Sequence, residues 1–263
     1  MVDPEAFDIK YVINPHMAAH LNGIDRHRAR DQWEQLRQTF VDLGLQVTVH
    51  PSVPGLPDLC FAANQTFPLR DTRQRVLRSK MAAPQRRPEV DLISNHWLHR
   101  GATVIDLETS GPFEAGGDGL WYPGKRLILA GVGSRSTREA WMEVSRVGEV
   151  PVILFDLVSP RFYHLDTCLC PLDDRCALFV PEAFSDAGLQ EIHRLFPEAA
   201  PIPNSEAQQL AGNATVLRNH FLVQAGSHES ASIAASRGLE VIQLDTSEFI
   251  KSGGSITCLH LRF

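Results

Sequence analysis

The chain has 263 residues, 43% of them hydrophobic and 21% charged, enough to bury a substantial core in the ordinary manner of globular proteins. Its net charge of -6, from 25 Lys and Arg against 31 Asp and Glu, argues against a surface built for nucleic-acid phosphates. The acidic start MVDPEAFDIK lacks the pattern of an export signal, and no run reaches the ~20 apolar residues of a membrane span. A cytoplasmic location, with neither nucleic acid nor membrane as partner, is the expectation. The cysteines (Cys60, Cys168, Cys170, Cys176, Cys258) are odd in number and irregular in spacing, so a disulfide framework is not expected and a working free thiol is.

Taken in chain order, FDIKYVIN and LQVTVH read as strands on either side of a helix in ARDQWEQLRQTFVDLGL. DLCFAANQTF predicts a strand, PEVDLISNHWLHRG a helix and ATVIDL a strand. RLILAGV and VPVILFDL flank the helical spacing of STREAWMEVSRVG. RFYHLDTCLC and CALFV precede PEAFSDAGLQEIHRLF, and ATVL and HFLVQAG precede ESASIAASRGL, followed by strands at LEVIQL and ITCLHLRF. Strands and helices are interleaved throughout, which predicts the α/β or α+β class. No low-complexity linker divides the chain, so one domain over residues 1–263 is expected.

Polar residues interrupt several of these apolar runs at a near-constant interval. Asn14, Asn64, Glu114, His164, Asn213 and Cys258 are separated by 50, 50, 50, 49 and 45 residues, with one helix in each interval. That period suggests one supersecondary unit repeated five times around an axis, helices outside, with the polar positions meeting at the centre.

Cys258 follows KSGGSIT, where Gly253 and Gly254 allow close backbone approach to a ligand; the residues alone fit a nucleophile or a small core thiol. On a strand, His164 and Asp166 point to one face, which suits an acid/base beside a cation-binding carboxylate, and equally a half-buried strand with satisfied polar groups. With Cys168 and Cys170 they also form a row resembling metal ligands. Four ligands on one strand spread over ~20 Å, too far to converge on a single ion, so no metal is expected. Glu114 and Asp118 sit in PFEAGGD, where a site carboxylate and an ordinary turn residue are both consistent. There is no phosphate-binding glycine loop, and no nucleotide or other organic cofactor is implied. Arg135 in GVGSRST suits a carboxylate clamp or a plain surface position.

The ordered motifs DIKYVINPHM, RARDQWEQL, GLPDLCFAANQTF, APQRRPE, PFEAGGDGL, RFYHLDTCLCPL and SEFIKSGGSITCLHLRF run nearly the full chain. Together they resemble the guanidino-group modifying enzymes of the pentein superfamily, nearest in look to the arginine dihydrolase and bacterial dimethylargininase-like branch. The resemblance implies a five-fold pseudosymmetric α/β propeller of ββαβ-like units. It further implies Cys258 as nucleophile, His164 as general acid/base, Glu114 as its orienting carboxylate and Asp166 as holder of the guanidinium nitrogens. Asn14 falls in the family's V-I-N-P motif, and Arg135 matches an arginine used for the substrate carboxylate. Asp118 and Gly254 complete the expected substrate-binding set. Two positions depart from the pattern: Asn64 stands where many members carry aspartate, and Lys80 where dihydrolases tend to have arginine. The implied reaction is hydrolysis of a guanidino C–N bond, first of arginine to ornithine, with dimethylarginine hydrolysis, deimination or amidino transfer as alternatives. A non-catalytic pentein similar to the ribosome anti-association factors is the non-enzyme alternative. The expected partner is a small guanidino compound, with a homodimer the commonest assembly for such proteins.

Overall fold

In the computed structural model, which describes residues 1–263, the segments with helical spacing all become helices. Helix α1 (Arg26–Asp42) begins where the Asp25 side chain accepts the Arg28 N–H, and buries the stripe Ala29, Trp33, Leu36 and Phe40.

The rest of the chain then repeats one pattern four times. The first unit is β1 (Thr66–Pro68), β2 (Arg75–Arg78), α2 (Arg87–His99) and β3 (Thr103–Ile105). The second, introduced by the single turn α3 (Ala115–Asp118), is β4 (Gly119–Trp121), β5 (Ile128–Val132), α4 (Arg138–Gly148) and β6 (Val152–Asp156). The third is β7 (Leu169–Pro171), β8 (Ala177–Phe179), α5 (Asp186–Leu195) and β9 (Ala200–Pro201). The fourth follows the short α6 (Asn204–Ala207) and comprises β10 (Thr215–Leu217), β11 (His220–Gln224), α7 (His228–Ser236) and β12 (Glu240–Leu244), with α8 (Ser247–Ile250) beyond it.

Each unit makes its own three-stranded sheet. The first two strands pair antiparallel and the second and third pair parallel. A parallel pair cannot be joined by a tight turn, which is why a helix occupies each crossover. The fifth sector is closed by both chain ends: Val2 bridges His50 in parallel, with α1 between them. Phe7, Phe40, Leu259 and Ile256 share one buried cluster there. The architecture is the α/β propeller, with five-fold pseudosymmetry, that the period and the resemblance predicted.

The strand expectations fail where the chain approaches the axis. FDIKYVIN, LQVTVH and ITCLHLRF form no strand beyond the His50 bridge, DLCFAANQTF contributes only β1 after a 3-10 turn at Pro57–Cys60, and RFYHLDTCLC contributes only β7 after a 3-10 turn at Leu165–Thr167. The backbone there satisfies itself locally: Phe61 donates to the Asp58 carbonyl (3.0 Å), Thr167 to His164 (3.2 Å) and Cys168 to Leu165 (3.1 Å). Apolar, β-branched composition marks these segments as buried, and burial at a crowded centre is met by turns as well as by strands.

The turns have a positional consequence. Asn64, Glu114, His164 and Asn213 each lie just upstream of the first strand of a sheet, namely β1, β4, β7 and β10. The repeat therefore delivers them to the same end of the propeller.

Candidate functional site

Cys258, His164, Glu114, Asp166 and Asn64 are all buried near the axis. The Cys258 thiol donates to Asp166 Oδ2 at 3.1 Å and receives the Asn213 amide at 3.2 Å. The Asn213 Oδ1 in turn accepts the backbone N–H groups of Ser255 and Cys258, which fixes the turn carrying the thiol. Burial pushes the Cys258 thiol well up, and the adjacent Asp166 charge adds to the rise. Burial also raises the Asp166 carboxyl to about 7, against the opposing hydrogen bonds from Cys258 and Asn213. Its second oxygen, Oδ1, is buried with no hydrogen-bond partner, so a cationic N–H donor would satisfy it.

On the facing side, His164 Nε2 lies 2.8 Å from Glu114 Oε2. Burial raises the Glu114 carboxyl, but the hydrogen bond and charge of His164, with Arg135 and Arg86, outweigh it and bring it to about 2. Glu114 therefore stays ionised, and by accepting a hydrogen bond from Nε2 it orients the ring and leaves Nδ1 as the nitrogen turned away from the carboxylate. His164 and Asp166 do not share one strand face as their spacing predicts. Leu165–Thr167 is a 3-10 turn rather than a pleated strand, and the two side chains serve different partners, Glu114 and Cys258.

Arg135 is buried, which removes the surface alternative. Its Nη1 donates to Glu114 at 3.0 Å, its Nη2 to the Ile13 carbonyl at 2.6 Å, and the guanidinium stacks 4.7 Å from the Tyr163 ring centre. Asn14 donates to the Ser252 carbonyl (3.0 Å) and to Tyr163 Oη (3.3 Å), tying the segment near Ile13 to the turn before Cys258. Gly254 lines the pocket. The glycine pair is needed because side chains crowd it: a Cβ on Gly254 would lie 2.5 Å from the Phe61 ring, and one on Gly253, at φ 87°, would lie 2.8 Å from Tyr163 Oη.

Among the expected substrate-binding residues, Asp166 lies behind the pocket lining against the Cys258 thiol, and Lys80 and Asp118 are not brought to the pocket. Lys80 donates to the Thr109 carbonyl and lines a separate groove with Arg78, Arg87 and Asp106. Asp118 is buried behind His164, where its Oδ1 accepts the Leu165 N–H at 3.2 Å, and burial raises its carboxyl to about 6. It acts on the turn that carries His164, not on the pocket surface.

The sequence reading missed Arg86, Asp58 and Tyr163, all of which line the pocket. Arg86 is buried and pairs with Glu89 at 2.8 Å, while its Nη1 donates to Asn64 Oδ1 at 3.0 Å. Asp58 accepts Tyr11 Oη at 2.7 Å and Ser252 Oγ at 3.2 Å. The i, i+3 spacing of Arg86 and Glu89 at a helix start was a usable signal, since a buried helical pair has that spacing. The pocket over these groups holds only about 10 Å³, room for about one water. Ile13, Asn14 and Met17 form one wall and Ser252–Gly254 another, so admission of a larger molecule requires these walls to part.

Gly117 sets the spacing between His164 and Asn64. A Cβ there would lie 2.3 Å from Asn64 Nδ2 and 2.9 Å from His164 Nδ1. Gly117→Ala is expected to displace both side chains, costing about 1–3 kcal/mol of stability by thermal unfolding and lowering turnover of any substrate at this site by roughly 100-fold.

No family model matches the chain. It is 33% identical to the N(G),N(G)-dimethylarginine dimethylaminohydrolase of Mycobacterium tuberculosis over 99% of this chain and 84% of that protein. It is 32% identical to the bifunctional arginine dihydrolase/ornithine cyclodeaminase ArgZ of Synechocystis, aligning over its whole length but spanning only 37% of that protein. The fold superposes with a TM-score of 0.94 at 30% identity on the crystal structure of the N-terminal domain of ArgZ, a cyanobacterial arginine dihydrolase, solved as a cysteine-to-serine variant bound to substrate. That match covers 100% of this chain and 96% of the domain. The propeller, the clustered thiol, imidazole and carboxylates, and these relatives converge: the chain belongs to the guanidino-group modifying enzymes of the pentein superfamily, whose members include hydrolases of C–N bonds in linear amidines.

Proposed function

We propose that residues 1–263 form one catalytic domain that hydrolyses arginine to ornithine, two ammonia and carbon dioxide through a covalent thiouronium intermediate on Cys258. The observation that carries this reading is the pairing of the Cys258 thiol with Asp166 opposite the His164–Glu114 pair. A guanidinium is resonance-stabilised and a poor electrophile, so it has to be held by carboxylates while a thiolate attacks its central carbon. The cation bound to Asp166 neutralises the charge that holds the Cys258 thiol protonated, so substrate itself favours the thiolate. His164 then gives a proton to departing ammonia and takes one from the water that displaces the thiolate, yielding citrulline. In a second round the thiolate attacks the ureido carbon, ammonia leaves, and water releases a carbamate that loses carbon dioxide. No metal or cofactor is called upon.

Asn64 favours two rounds over one. Arg86 can only donate, so its bond to Oδ1 fixes the amide orientation and leaves Nδ2 as the free donor. That Nδ2 is buried in the pocket without a partner. The neutral ureido group of citrulline presents a carbonyl oxygen that an amide N–H can bind and a carboxylate would repel. The dimethylarginine reading keeps support from the Mycobacterium relative.

Incubation with L-arginine, and separately with asymmetric dimethylarginine, distinguishes the readings when products are resolved by mass spectrometry. Ornithine with two ammonia per arginine is expected. Citrulline with dimethylamine would move the assignment to dimethylarginine hydrolysis, and citrulline alone from arginine to deimination. Asn64→Asp is expected to lower the ornithine-to-citrulline ratio by about tenfold or more; an unchanged ratio would remove Asn64 from the argument.

A further inference from the structure

A cavity far larger than the pocket at Cys258 lies elsewhere on the molecule. It has a volume of about 710 Å³ and lies at the other end of the first strands, lined by Pro68, Arg70, Trp121, Arg100, Arg262 and Phe263 among others. Asn64 and Glu114 precede β1 and β4, whereas Pro68 and Trp121 end those strands, so the cavity and the thiol sit at opposite ends of the propeller. A volume of this order is typical of small-molecule sites.

Its charge is one-sided in a protein that is acidic overall. Arg70 and Arg100 make no ion pair; their guanidinium groups stack on aromatic rings instead, Arg70 at 5.2 Å from the centre of Trp121 and Arg100 at 5.1 Å from the centre of Phe263. Arg262 spends one N–H on the Val216 carbonyl at 3.0 Å and has no carboxylate partner. The cavity's carboxylate, Asp71, is engaged by Arg75 at 2.7 Å and by the backbone N–H groups of Arg73 and Arg75. Contact with the aromatic rings holds Arg70 and Arg100 without consuming their charge in an ion pair, which suits oxyanion binding.

We propose that this cavity is a second ligand site, separate from the thiol centre, which binds a small, multiply charged oxyanion through Arg70, Arg100 and Arg262. Two sources share that chemistry, phosphate-bearing metabolites and polycarboxylates, and pyrophosphate and citrate serve as their probes. Titration of the whole chain with each, at constant ionic strength set by chloride, is followed by calorimetry and by the tryptophan fluorescence to which Trp121 contributes. Saturable binding of either probe is expected, and the tighter of the two identifies the source. Arg70→Gln and Arg262→Gln are each expected to weaken it roughly tenfold, while Cys258→Ser leaves it unchanged, which separates this site from the reading of the catalytic centre. Binding of neither probe, or binding that survives Arg70→Gln/Arg262→Gln, overturns the proposal. So does a chain that self-associates in sedimentation and dissociates on those substitutions, because the arginines would then serve a second copy.

Discussion

Replacing Cys258 by serine is expected to lower kcat on the proposed guanidino substrate by about 10,000-fold or more, with the fold retained. Serine is nearly isosteric with cysteine and still offers a hydrogen to Asp166 Oδ2, so the buried turn held by Asn213 should persist. What is lost is a nucleophile able to ionise: a hydroxyl in this buried, anionic setting has no accessible alkoxide. A small core thiol predicts the opposite pattern, a modest change in thermal midpoint and unchanged turnover. Substrate binding measured by calorimetry should survive in the serine variant, because the carboxylates that hold the cation are intact. Loss of binding together with turnover would indicate collapse of the site rather than removal of the attacking atom.

Asp166→Asn is expected to separate thiol reactivity from catalysis. The Asp166 charge is the second cause, after burial, of the raised Cys258 pKa. Removing it should lower the pH midpoint for alkylation of Cys258 by iodoacetamide, making the thiol more reactive in the free protein. Turnover should nevertheless fall by roughly 100- to 1,000-fold, since a buried guanidinium that loses its carboxylate costs about 3–5 kcal/mol. A variant whose alkylation midpoint does not move would show that Asp166 does not govern the thiol.

The same carboxyl predicts a pH dependence. Its folded pKa is raised from 3.8 to about 7 by burial, so the unfolded chain releases this proton first as pH rises. Asp166 therefore contributes stability below 3.8 that is lost progressively as pH approaches about 7. The full effect is on the order of 4 kcal/mol. Denaturation midpoints measured across that window should fall less steeply in Asp166→Asn. In the intact enzyme, kcat/KM should rise through pH about 7 as Asp166 ionises to receive the cation.

Much of the site was legible because the repeat spaces its polar positions evenly along the chain. Asn64, Glu114, His164 and Asn213 each precede the first strand of a sheet, and the periodic reading needs only that registration. Arg86 and Asp58 escaped it. They belong to no repeat position; beside the local Arg86–Glu89 pair, their importance rests on Arg86 reaching Asn64 and on Asp58 meeting Tyr11 and Ser252, contacts between segments distant in the chain. Lys80 is expected at the site from the resemblance, yet its ammonium turns to the Thr109 carbonyl.

The sequence by itself determined the helices and the strands that carry an apolar run, because apolar spacing and capping residues act over a few positions, whereas the short β2, β4 and β9 that complete the ββαβ units left no run to read. Asp25, Thr137 and Ser185 each cap a helix that the apolar pattern had already placed. Only the tertiary structure decided that the axial segments curl into turns, since their apolar composition records burial and not the geometry of a crowded centre. It alone placed Asp166 against Cys258 and His164 against Glu114, where burial and neighbouring charge set the Asp166 and Glu114 carboxyls about 5 pH units apart although the two residue types ionise almost alike in water.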